Sequence, residues 1–301
     1  MAEQLIVVPL DGSELSERAI PYATLFAKNF GGRLLLVTVW EGADEALLKA
    51  LPSLADDLFK EGEQYYEKYL AKTAQRYMED GVKIDAEVLT GHAAEELLKL
   101  VDARHADLLA LATHGRSGLG RWWYGSVAGE VAQRAHPPRL IVGPKVLSQP
   151  AKAIKVDAVL VPLDGSRLAE SALESAQRIA KQFGATLHIA QAVSPVSQTF
   201  FFDMPSVAAI DIIGEIEKGA AEYLAGLVQR LGGDVAVKTH VLRGQAADAL
   251  ADFVTDNGVD LVVMASHGRG GLARVALGSV ADRMLQSDAP VYLIRPVEES
   301  A

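Results

Sequence analysis

The sequence predicts an α/β fold built twice: two tandem domains, each a five-stranded parallel sheet flanked by helices. Three observations predict it. First, the chain repeats itself at a fixed interval. Val8-Pro9-Leu10-Asp11-Gly12-Ser13 returns as Val161-Pro162-Leu163-Asp164-Gly165-Ser166, His114-Gly115-Arg116 as His267-Gly268-Arg269, and Gly125-Ser126-Val127-Ala128 as Gly278-Ser279-Val280-Ala281. Each pair is 153 positions apart (164 − 11, 267 − 114, 278 − 125), so one shift aligns both halves from start to end. Second, short apolar, β-branched runs alternate with segments of helical periodicity. Third, the 301 residues, half of them hydrophobic and 23% charged, suit two globular domains of ordinary size. The expected boundaries are a first domain over 1–147, a linker over 148–155 and a second domain over 156–301.

Within the first half, residues 5–10 form an apolar run that reads as a buried strand. Asp11-Gly12-Ser13 is a turn. Leu15, Ala19, Tyr22, Ala23, Phe26 and Ala27 then recur at helical spacing, predicting one helix over 13–30 that Gly31-Gly32 ends. Residues 34–40 are a second strand, 41–52 an excursion, 54–79 a long helix stopped by Gly81, and 82–89 a third strand. A helix over 93–104 and a fourth strand over 107–112 follow. A glycine-bearing loop over 114–124 leads to a helix over 125–135, closed by Pro137-Pro138, and a fifth strand over 139–142. The order repeats from 158 to 296. The halves differ most in the excursion, which in the second half carries Phe200-Phe201-Phe202. Packing against the neighbouring domain and a lid or partner patch are both readings of those rings.

The recurrent chemistry sits in two loops that leave carboxyl ends of strands, where open parallel sheets bind ligands. In the second loop, Gly115 and Gly125-Ser126 are separated by nine residues, as are Gly268 and Gly278-Ser279. Glycine admits close backbone approach, and a helix opening on Gly-Ser presents free N–H groups, a hydroxyl and the positive end of the dipole to a phosphate. A serine N-cap beside a turn glycine is the plainer reading. Asp11 and Asp164 lie at the end of the first strand, as acceptors for ribose hydroxyls, as holders of a metal ion through water, or as turn formers. Arg116, Arg121, Arg269 and Arg274 suit phosphate through their planar forks, or are solvated loop charges. His114 and His267 have no ligand-spaced neighbours and read as structural. Trp122-Trp123-Tyr124 have Val275-Ala276-Leu277 as counterparts, so base stacking is not a shared requirement.

Other classes are excluded. The chain contains no cysteine, which removes disulfides, thiolate metal sites and thiol redox chemistry. The net charge of −10, with no offsetting basic stretch, argues against nucleic acid and anionic membranes. No apolar run approaches the ~20 residues of a membrane span. The first residues read as a strand and not as a secretion signal, so a cytoplasmic location is expected. There is no Gly-x4-Gly-Lys-Ser/Thr loop, no dinucleotide fingerprint after a first strand, no Gly-x-Ser-x-Gly elbow and no matched nucleophile, base and orienter.

These residues resemble the universal stress protein family in its tandem two-domain form, over nearly the whole chain. The family's nucleotide-binding pattern is Gly-2x-Gly-9x-Gly-Ser/Thr. Its later parts are present twice here, and Ala112 and Ala265 stand where its first glycine would be. The resemblance implies flavodoxin-like, Rossmann-like domains of strand order 3-2-1-4-5. It implies an adenine nucleotide (ATP, or AMP or ADP), with Mg2+ as its usual companion. Pro9 and Asp11, with Pro162 and Asp164, would line the nucleoside, and Val39 and Ala192 would meet the adenine. Gly115, Arg116 and Gly118, with Gly268, Arg269 and Gly271, would lie along ribose and phosphates. Gly125, Ser126 and Val127, with Gly278, Ser279 and Val280, would cradle the phosphates. It also implies pairing through the last strands, within one chain or as a homodimer. The expected role is nucleotide-dependent sensing or regulation in stress response. A slow ATPase or phosphotransferase, and a scaffold that binds nothing, are the alternatives; efficient catalysis is not expected.

Overall fold

The computed structural model describes residues 3–42, 52–78, 81–113, 126–148, 154–194, 206–266 and 278–295. The chain divides into two compact units, Met1–Ile154 and Lys155–Ala301. In the first, the elements run β1 (Gln4–Pro9), α1 (Glu14–Glu17), α2 (Ile20–Phe30), β2 (Gly32–Trp40), α3 (Pro52–Tyr77), β3 (Ile84–Thr90), α4 (Ala93–Ala103), β4 (Leu108–Ala112), α5 (Ser126–Arg134), β5 (Arg139–Val142) and α6 (Pro144–Ser148). In the second they run β6 (Ala158–Leu163), α7 (Arg167–Glu170), α8 (Ala172–Phe183), β7 (Thr186–Val193), α9 (Ser206–Leu231), β8 (Val237–Arg243), α10 (Ala246–Asp256), β9 (Leu261–Ala265), α11 (Ser279–Leu285) and β10 (Val291–Ile294).

Each unit carries a parallel sheet of the same order, β3-β2-β1-β4-β5 and β8-β7-β6-β9-β10. The register repeats as well. Leu5 stands opposite Arg33 and Ala158 opposite Thr186, both pairs related by the shift of 153 (158 − 5, 186 − 33). The central strands are buried along their length: Ile6, Val7 and Val8 in β1, and Leu160 and Val161 in β6, are at most 1% exposed. That is why these strands are continuous apolar runs instead of alternating ones. Since β1 lies between β2 and β4, successive crossovers leave it in opposite directions. The carboxyl ends of β1 and β4, and of β6 and β9, therefore flank a switch point of the winding.

The structure departs from the sequence expectation in three places. The helix expected over 13–30 is two helices. Pro21 lacks an N–H and its ring would meet the carbonyl of Glu17, so the ladder restarts at α2 with the proline in the first turn. The second unit breaks at the corresponding Ser171 without a proline, through a residue that keeps helical backbone angles. Leu15, expected on the buried face, is 37% exposed, and its counterpart Leu168 is 41% exposed. Both sit on the detached short helix. Finally, α6, a helix the sequence reading did not include, runs up to Ser148, the first residue of the expected linker. Pro144 opens it, and Val146 and Leu147 are buried.

Candidate functional site

The turn after the first strand is the same in both units. One residue past β1, Leu10 N–H still donates to Val37 O at 2.8 Å, and Thr38 Oγ1 donates to Leu10 O at 3.0 Å. The chain then reverses through Gly12, whose φ of 82° is matched by 81° at Gly165; a side chain at either position would be strained. Asp11 Oδ1 accepts from Ser13 N–H at 3.0 Å and from its hydroxyl at 2.6 Å. Asp164 does the same with Ser166, at 2.9 and 2.6 Å. Each serine then caps the following helix: Ser13 Oγ accepts from Ser16 N–H at 3.2 Å, and Ser166 Oγ from Ala169 N–H at 3.1 Å. The aspartates are thus turn formers, with Oδ1 engaged inside the loop. Both are partly exposed, as is Pro9; Pro162 is buried.

A buried acid ties this turn to the long helix. Glu17, 4% exposed, accepts from Arg76 Nη1 at 2.6 Å. In the second unit Glu170 accepts from Arg230 Nη2 at 2.7 Å and from Tyr223 Oη at 2.9 Å. The long helices are offset by 154 (206 − 52), which makes Tyr223 the counterpart of Tyr69 and Arg230 that of Arg76. Tyr69 Oη is enclosed near Glu17 but outside hydrogen-bond geometry. Burial first, and then the neighbouring glutamate, raise both tyrosine hydroxyls well above their ordinary range; Asp11 and Asp164 add smaller contributions of the same sign. Sequence reasoning missed this cluster. Its signal was present: Glu, Tyr and Arg each survive in both halves.

At the second strand's end, Val39 and Ala192 are half-buried and stand opposite Leu89 and Leu242. At the fourth, Ala112 and Ala265 are 8% and 5% exposed and stand opposite Val142 and Ile294. Their methyl groups are part of the strand-end packing. Thr113 N–H and Ser266 N–H continue the ladder, to Val142 O at 3.2 Å and Ile294 O at 2.9 Å.

Beyond those residues lie Gly115, Arg116, Gly118 and Gly125 in the first unit and Gly268, Arg269 and Gly271 in the second, all outside the described residues. So do His114, Arg121, Trp122, Trp123 and Tyr124, their counterparts His267 and Arg274, and Phe200, Phe201 and Phe202. The description resumes at the helix starts. Ser126 opens α5, with Val127 half-buried. Gly278 is the N-cap of α11, with φ −65° and ψ 159°, and its carbonyl accepts from Asp282 N–H at 2.9 Å. A Cβ at Gly278 would meet none of the described residues within 4 Å, and Gly278 and Ser279 are exposed. Among the described residues, neither backbone conformation nor packing requires glycine there. Val280 is half-buried. Among the described residues no three acidic or histidine side chains cluster as a metal site.

The sequence profile of the universal stress protein family matches residues 4–143 and again 155–295. The chain belongs to the universal stress protein family. A universal stress protein of Methanocaldococcus jannaschii is 37% identical over 139 residues, which is 46% of this chain and 80% of that one. One of Mycolicibacterium smegmatis is 27% identical over 303 residues and spans 97% of both chains, so the tandem arrangement is shared end to end. The crystal structure of a universal stress protein from Archaeoglobus fulgidus superimposes with a TM-score of 0.69, covering 98% of this chain and 99% of its own, at 21% identity. That likeness shows the common fold. No described helix is long and apolar enough to cross a membrane.

Proposed function

We propose that each unit binds an adenine nucleotide at the carboxyl edge of its first and fourth strands, and that occupancy biases conformation or partner choice during stress response. The observation that carries this reading is the switch point. Asp11 and the start of α5 leave neighbouring strands in the first unit, and Asp164 and the start of α11 do so in the second. The space that the described residues leave at Gly278 supports it, because a glycine that none of them requires is suited to a ligand's close approach. In this reading Asp11 and Asp164 hold the ribose, Val39 and Ala192 meet adenine through backbone, and Gly125-Ser126-Val127 and Gly278-Ser279-Val280 receive the phosphates through main-chain N–H groups. Arg116 and Arg269 accompany them. Mg2+ bound with the nucleotide would neutralise phosphate charge. A cytoplasmic location and pairing through the last strands, within or between chains, complete the proposal.

Mass spectrometry of nucleotide released from freshly purified protein tests it, together with calorimetric titration of Mg-ATP. Gly125→Val and Gly278→Val are expected to lower the affinity of their own unit at least about tenfold, or about 1.4 kcal/mol, with circular dichroism unchanged. A wild-type protein that releases no nucleotide and takes up none at millimolar Mg-ATP overturns the reading.

A further inference from the structure

Two histidines of the second unit face each other across β7 and β8. His188 Nδ1 and His240 Nε2 lie 3.1 Å apart, with the rings 7° from parallel. This is an imidazole–imidazole hydrogen bond, in which one inner nitrogen carries the hydrogen and the other supplies the lone pair. Phe253 of α10 covers both rings, at centroid distances of 5.8 and 4.6 Å. His188 is 7% exposed and His240 half-buried. Lys238 stands opposite His188, on the same face of β8 as His240. On the other flank β6 offers Leu160. The acids of α10 that are nearest in sequence, Asp248, Asp252 and Asp256, are exposed, and Asp248 pairs with Arg283 at 3.3 Å. Arg243, of opposite parity on β8, reaches Glu217 of α9, which places α9 on the sheet's other face. Among the described residues a cation and apolar groups therefore surround the pair, and no carboxylate perturbs either ring.

We propose that His188 and His240 are a proton-operated latch that holds edge strand β8 onto the second unit, closed when at most one ring is protonated and open when both are. A first proton goes to an outer nitrogen and leaves the hydrogen bond intact. A second converts both inner nitrogens into donors and sets two cations 3.1 Å apart beside Lys238. Burial, then His240 and Lys238, hold His188 below the ordinary imidazole value of 6.5, and burial and Lys238 do the same to His240. The folded unit thus refuses protons that the unfolded chain accepts. Its stability is full above about pH 6.5 and is lost as pH falls below it. The first unit has no such device. At the same shift (188 − 153, 240 − 153, 253 − 153) it carries Leu35, Glu87 and Leu100, and Glu87 is paired with Arg104 at 2.9 Å. Because β7 runs on from His188 to Ala192, acid would loosen the second nucleotide site ahead of the first. That consequence rests on the proposed function; the latch does not.

Hydrogen exchange of the full chain, corrected for intrinsic rate, tests the latch at about pH 7.5 and about pH 5 without nucleotide. Exchange over 237–243 is expected to rise about tenfold or more in acid, while 84–90 changes less than about twofold. His188→Leu, which installs the first unit's residue, and His240→Gln should each remove the acid response of 237–243. Proton NMR should show two of the seven histidines titrating in coupled steps below the ordinary value. Equal acid responses in the two strands, a response that survives His240→Gln, or two rings titrating independently near 6.5 overturns the proposal. Should His188→Leu not fold, the His240→Gln measurement decides.

Discussion

The two units share a frame and differ in what they hang on it. Both keep the hydrogen-bonded Asp-Gly-Ser turn and the Glu-Arg-Tyr cluster behind it. Along the second strand they diverge in side-chain size. Trp40 of the first unit packs 5.8 Å from Tyr66 and fills the space over Gly62, where a Cβ would come within 2.6 Å of the indole. In the second unit these positions (40 + 153, 66 + 154, 62 + 154) are Val193, Ala220 and Ile216. The helix position gains a large residue, but Ile216 is 39% exposed and does not take the place of the packed indole. What stays fixed is the loop that shapes the carboxyl edge; what changes is the side-chain packing along the second strand.

The comparison can be broken first at this exchange. Gly62→Ile is expected to destabilise the first unit by about 2 kcal/mol, as overpacking does, and adding Trp40→Val should restore most of the loss. A thermal unfolding cycle of the single and double variants measures the coupling, and additive effects would show that the two positions are independent. The acid clusters come next. Glu17→Ala should cost about 1–2 kcal/mol. The figure sits at the low end for a buried pair because Arg76 is half exposed and keeps its water. Glu170→Ala should cost less, since the Glu170 side chain is 20% exposed against 6% for Glu17. Denaturant titrations that rank the pair the other way would contradict the burial argument.

The turns should respond equally. Ser13→Ala and Ser166→Ala each remove a helix cap and an aspartate partner, for about 1 kcal/mol apiece, measured as matched shifts in the two units' exchange protection. The smallest effect is a gain. Thr73 is fully buried and its hydroxyl has no hydrogen-bond partner among the described residues, whereas the second unit has Leu227 there (73 + 154). Thr73→Val should therefore stabilise the first unit by up to about 1 kcal/mol; a loss of that size would mean that the hydroxyl is satisfied in solution.

How much was legible follows from the range of the interactions. The repeat, the strands, the caps and the turn glycines are set by residues within a few positions of each other. Asp11 bonds Ser13, Ser13 caps Ser16, and Gly31 and Gly184 end their helices with φ of 68° and 67°. Pattern reading finds such features because the physics is local. It failed at Leu15, where one helical period was drawn through a break. The sequence by itself thus determined two copies of a parallel α/β domain and the loops at their edges. The strand order implied by the family resemblance is the one observed, whereas tertiary structure alone decided that Glu17 meets Arg76 across 59 residues and that His188 meets His240 across 52. Those contacts depend on sheet order and register, and no short window of sequence carries either.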